Sequence, residues 1–176
     1  MAERILISLL YVVAEGDETT FCKQGQSASG VPHSRLRILN QGNPRDLRFE
    51  SLWIGPAGHV TYYENRFKNT YKAIGGGGRT EWYKKSPKEA IEILDTWIEA
   101  PVFKIVDPKI VPYRAKNGGS CPIGRLTDIY EDCVATAKFD FREWYINDRA
   151  TNVHGVLNEE KVKKLQNQDL DFSFYS

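Results

Sequence analysis

Cysteine is scarce and irregularly placed: Cys22, Cys121 and Cys133 form no Cys-x-x-Cys pair, and the three histidines His33, His59 and His154 are scattered. A disulfide framework and a zinc module are therefore not expected, and a reducing cytoplasm is the expected compartment. A membrane helix is missing as well. The apolar run Ile5 to Ala14 is about half of the ~20 residues that a span needs, and no small-residue cleavage site follows it. No sign of charge dominates, since 24 Lys and Arg face 23 Asp and Glu. Any nucleic-acid surface must come from local clustering. Repeats and low-complexity tracts are absent too. With 41% hydrophobic and 27% charged residues, wholesale disorder is excluded.

What is present alternates between strand and helix patterns. Residues 5–14 (ILISLLYVVA) are apolar and rich in β-branched residues, and 19–24 follow after Gly16 and Asp17, which predicts a β-hairpin. Ser27 to Gly30 is expected to be a loop. Pro32 opens a short helix over SRLRILN, and Gln41 to Pro44 stops it. Residues 49–54 predict a strand closed by Gly55-Pro56. The period then changes: Val60, Tyr63, Phe67, Tyr71 and Ile74 recur at three and four, an amphipathic helix ended by Gly75 to Gly78. Ser86-Pro87-Lys88-Glu89 starts another helix as a capping box, with Ala90, Ile91, Leu94, Trp97 and Ile98 as its buried stripe. Further on, 102–106 predicts a strand, Gly118-Gly119 a loop and 159–166 a short polar helix. The expected fold is α/β (α+β): residues 1–100 form a unit with a three-stranded antiparallel sheet flanked by helices. Residues 101–176 form a C-terminal extension packed on it.

Charge is locally concentrated. Between Arg66 and Lys88 lie Arg66, Lys68, Lys72, Arg79, Lys84, Lys85 and Lys88 against one acid, Glu81, a local +6. Four arginines face one aspartate between Arg35 and Arg48. Tyr62, Tyr63, Phe67, Tyr71, Trp82 and Tyr83 are interleaved, a mixture that suits a phosphate backbone. The same pattern also fits an ordinary solvated helix face. The glycine run 75–78 is a connector rather than a Walker loop, because no strand precedes it and no Gly-Lys-Ser/Thr ends it.

Taken in order, these segments resemble the GIY-YIG nuclease superfamily, especially its phage-associated branch. Leu9-Leu10-Tyr11-Val12-Val13 resembles the first motif. Phe21 to Ser27 resembles the second, in the variant with lysine at the motif tyrosine. Arg35 to Pro44 is similar to the arginine helix with its Asn-x-Gly-Asn-Pro exit, and Glu64-x-x-Phe67-Lys68-x-x-Tyr71 to the glutamate helix. Thr80 to Tyr83 with Ser86-Pro87-x-Glu89-Ala90 resembles the closing segment. The match covers residues 5–98. This chain has Leu9 where the family has glycine, Gln24 where an aliphatic is usual and Lys68 where histidine is common.

The resemblance implies a metal-dependent DNA endonuclease, encoded by a phage or mobile element. Tyr11 would accept the proton of the attacking water, and Lys23 would lower its phenol from about 10 toward neutrality. Arg35 would clamp the phosphate oxygens, and Glu64 would ligate Mg²⁺ or Mn²⁺, with Gln26 and Asn40 as secondary contacts. Arg37, Arg66, Lys68, Lys72, Arg79, Lys84, Lys85 and Lys88 would bind DNA. The alternative is a non-catalytic nucleic-acid-binding module on the same fold. The geometric expectation is definite: Tyr11, Lys23, Arg35 and Glu64 line one concave surface, within about 10 Å of a common point. Tyr11 and Glu64 on opposite faces of the sheet would end the nuclease assignment.

Overall fold

A computed structural model of the chain describes residues 2–15, 20–27, 47–74, 82–105 and 125–174. The strands are β1 (Glu3–Glu15), β2 (Cys22–Ser27), β3 (Leu47–Pro56), β4 (Trp82–Tyr83), β5 (Phe103–Lys104) and β6 (Leu170–Ser173). The helices are α1 (Ala57–Thr70), α2 (Pro87–Trp97), α3 (Leu126–Thr136), α4 (Phe141–Ala150) and α5 (Glu159–Gln166). The expected hairpin turn, the helix over 34–40 and the loops at 27–30 and 118–119 fall wholly or largely outside the described residues.

The three-stranded sheet expected from the sequence is corrected to six strands among the described residues, in the order β4-β2-β1-β3-β5 with β6 added on β1. The neighbours along the path are antiparallel, whereas β6 runs parallel to Glu3–Leu6. The additions escape a periodicity reading for a physical reason. β4 is two residues long, too short to show any alternation, and β5 lies within the strand expected at 102–106, but its pairing with β3 is not a local pattern. β6 gains its place by pairing with residues 167 positions earlier, which local pattern cannot report.

β1 is buried on both faces, and this explains its unbroken apolar run. Ile5, Ile7, Leu9, Tyr11 and Val13 join one core cluster with Phe49, Leu52, Leu126, Tyr130, Phe141 and Tyr145. Leu10 and Val12 join a second cluster with Trp53, Val60, Tyr63, Phe67, Tyr83 and Leu94. Thus α1 and α2 cover one face while α3, α4 and β6 supply the other. The buried Tyr130 hydroxyl donates to the Pro101 carbonyl at 2.6 Å, and burial pushes its phenol up. On α2, Ser86 is the N-cap, its Oγ accepting from the Glu89 amide at 3.1 Å.

Gly55, near the end of β3, sits against the chain at 101–102. A Cβ there would lie 2.8 Å from Val102 Cγ2, 3.0 Å from Val102 Cα and 3.1 Å from the Pro101 oxygen. Two of these atoms are backbone and have no rotamer to give. Gly55→Ala is therefore expected to destabilise the fold by about 1–3 kcal/mol, the usual cost of overpacking. Urea unfolding checks it, as a lowered midpoint with an unchanged slope.

Candidate functional site

Two polar assemblies lie on opposite sides of β1 and β2. The first contains Tyr11 and Lys23. Register pairs Tyr11 with Gly25 and Val13 with Lys23, so both side chains share one face as diagonal neighbours. Glycine opposite Tyr11 leaves the ring space over β2. Tyr11 is fully buried, its ring centroid 5.8 Å from that of Phe49. Lys23 is half-buried and pairs across to Trp82 on β4.

The second assembly lies under α1. Packing Val60, Tyr63 and Phe67 against Leu10, Val12 and Trp53 also turns Glu64 inward, to 5% exposure. Its carboxylate is paired with Lys68 Nζ at 2.9 Å. Gln26, opposite Leu10, faces this side: its Oε1 accepts from the Thr61 hydroxyl at 3.0 Å. The Ser8 hydroxyl donates to the Ser27 carbonyl at 3.1 Å. Gln24, opposite Val12 and fully buried, has no hydrogen-bond partner among the described residues for either amide atom.

The expectation of one concave surface is corrected here. Tyr11 and Lys23 are brought together, but Glu64 lies beneath the helix that covers the other face. Strand alternation is the cause: if Leu10 and Val12 contact α1, Tyr11 must point away from it. Arg35, Arg37, Asn40 and Arg79 lie outside the described residues. Gln26 belongs with Glu64's side of the sheet rather than with Tyr11.

Among the described residues no group of three or more His, Cys, Asp and Glu side chains could hold a metal ion. Glu64 nevertheless has the right chemistry for one. It offers a hard carboxylate oxygen, and that oxygen already holds a cation, the ammonium of Lys68. Lys68 is 40% exposed at its side chain, so its flexible stem can leave toward solvent. Cys22, by contrast, is no nucleophile: burial pushes its thiol up to about 12, leaving it protonated at neutral pH.

Basic and aromatic side chains meet where α1 ends. The Arg66 guanidinium lies 4.1 Å from the Trp97 ring centroid and Lys85 Nζ 4.0 Å from that of Tyr71. The Tyr71 and Trp97 rings are nearly parallel, 14° apart with centroids at 6.3 Å. Lys68, Lys72, Lys84 and Lys88 are exposed around them and Lys85 is half-buried. Trp97 was legible only as a member of the buried stripe of α2. Its role beneath Arg66 depends on the crossing of α1 and α2, which spacing within one helix does not contain.

Comparison with known proteins adds nothing to this geometry: no family model matches the chain, and no curated protein or solved structure does.

The orphaned amide of Gln24 sets up a direct test. An unsatisfied buried polar group costs about 1–3 kcal/mol, whereas an apolar side chain of similar shape removes that cost. Gln24→Leu is expected to stabilise the fold by about that amount, read from the thermal or urea transition. A loss of stability would show that the amide has a partner in solution.

Proposed function

We propose that this chain is a DNA-binding domain of the GIY-YIG kind, with its contact surface at the C-terminal end of α1, the 82–88 segment and the start of α2. One observation carries the reading: Arg66, Lys68, Lys72, Lys84 and Lys88 are exposed in one region of the chain, with the rings of Tyr71 and Trp97 between them. The only carboxylate on α1, Glu64, is turned inward and paired. Phosphates are met by Lys and Arg without a competing anion on that helix.

A second reading, metal-dependent hydrolysis of a DNA phosphodiester, is favoured by the juxtaposition of Tyr11 with Lys23 and by the five motifs in register. In that reading Glu64 would hold Mg²⁺ or Mn²⁺, which supplies charge neutralisation at the phosphate. Tyr11 would handle the proton and Lys23 would favour its phenolate. That reading needs Tyr11 and Glu64 at one phosphate, and their placement on opposite faces of the sheet ends it; binding is the function proposed.

Two measurements test these readings. Gel shifts across a salt series are expected to show affinity falling steeply, with a log–log slope of about −0.9 per phosphate contacted on duplex. Replacing Lys84, Lys85 and Lys88 with Ala is expected to flatten that slope. An affinity indifferent to salt would point to a protein partner instead.

The second measurement is a cleavage assay with Mg²⁺ and Mn²⁺ on wild type and Glu64→Gln. The binding reading predicts that both proteins bind and neither cuts. Cleavage by wild type that Glu64→Gln abolishes, with binding kept, would move the conclusion to hydrolysis, because a neutral amide is a poor ligand for a hard cation. Glu64 is buried, so a thermal transition is run beside the assay; the fold is expected to survive because the amide keeps the size of the side chain and Lys68, 40% exposed, can turn its ammonium to solvent.

A further inference from the structure

The outward face of α1 is unlike an ordinary solvated helix face. Tyr62, Asn65, Arg66 and Asn69 recur at i, i+3, i+4 and i+7, opposite the buried stripe, and all four are exposed. Tyr62 keeps 58% of its surface in water. A helix built only for solubility carries Glu and Lys there. This stripe has an aromatic ring, a guanidinium and two carboxamides, and no acid.

Arg66 is also fixed in an unusual way. Its guanidinium carbon lies 4.1 Å from the Trp97 ring centroid, which braces the group, while the residue stays exposed. A group braced like this is poorly placed to reach a base edge in a groove, but its plane can take a stacked base. Guanidinium planes and aromatic rings are the surfaces on which unpaired bases stack. The opposite end of α1 argues in the same direction. A helix that reads the major groove leads with its N-terminal residues, whereas His59, in the first turn of α1, packs edge-on against Trp144 of α4 at 5.1 Å. Trp144 thus flanks that end of the helix.

We infer that this stripe takes the unpaired bases of single-stranded DNA: Tyr62 and the Arg66–Trp97 pair supply the stacking planes, Asn65 and Asn69 supply amides for base edges, and Lys72 and Lys85 meet the backbone. The inference rests on the DNA-binding reading and narrows its substrate class. Duplex bases are stacked on one another and cannot use these planes, whereas the surrounding lysines serve either form.

The experiment measures fluorescence anisotropy of a labelled oligo-dT strand and of a blunt duplex of equal length, at one low salt concentration. Wild type, Tyr62→Ala and Tyr62→Phe are compared. Wild type is expected to prefer the single strand. Tyr62→Ala is expected to weaken single-strand binding about tenfold, the scale of one lost base–aromatic stack, and to leave the duplex unchanged. Tyr62→Phe keeps the ring and is expected to bind as wild type does. Equal affinity for both forms, a preference for duplex, or a Tyr62→Ala protein that still binds the single strand as wild type does would overturn the inference while DNA binding stands. Binding of neither form would remove the DNA-binding reading and this inference with it.

Discussion

Everything in this structure depends on β1 being buried on both faces. A strand with water on one side carries one apolar set; β1 carries two, Ile5 to Val13 at odd positions and Leu10 with Val12 at even ones. Two separate helical layers are needed to cover it. α1 and α2 supply one from the middle of the chain, and α3 and α4 supply the other from residues 126–150. The division of the molecule into a face of α1 and a face of Tyr11 follows directly. So does the placement of each polar side chain along β1 and β2, because moving the register by one residue would exchange the two faces completely.

Legibility in the sequence tracked how local each cause was. α2 was readable to within a residue or two because its start is a local device, Ser86 capping the Glu89 amide. α5 was readable because six of the eight residues after Asn158 are polar and Asn158 accepts from the amides of Glu160 and Lys161. The same devices were present and overlooked at α3 and α4. Leu126, Ile129, Tyr130, Cys133 and Val134 recur at helical spacing, and Asp140 caps the Glu143 amide. The pairing of β6 with β1 has no local cause and could not be read.

The candidate site divides along similar lines. That Tyr11 and Lys23 share a face was not legible, since a two-residue turn at Gly16-Asp17 would set Lys23 opposite Leu10, whereas the register pairs it with Val13. The separation of Glu64 from Tyr11 was legible, but only by asking which residues of β1 would meet the amphipathic helix. Val60, Tyr63 and Phe67 need apolar partners, and Leu10 and Val12 are those partners, which sends Tyr11 to the other side. Motif order along a chain says which residues belong to a set; strand parity decides which of them can touch. Gln24, a polar side chain at a position facing α1, was noticed as a departure from the resembled pattern, and its orphaned amide is the physical counterpart of that departure.

The parallel pairing of Leu170–Ser173 with Glu3–Leu6 has a consequence for synthesis on the ribosome. Residues 3–6 are made 167 residues before their partner strand, so the contact waits for all of the intervening chain. Until then one run of β1 backbone amides and carbonyls is an open edge, the kind of template on which another nascent chain can add a strand. Pairings of such long sequence separation also form late and slowly. The exposure therefore lasts while the intervening residues are made and for the search that follows. Arg4, which carries its charge outward on this stretch, places a like-charge penalty on a second copy attempting to pair there in register, and so guards the edge during the interval in which β6 does not yet exist.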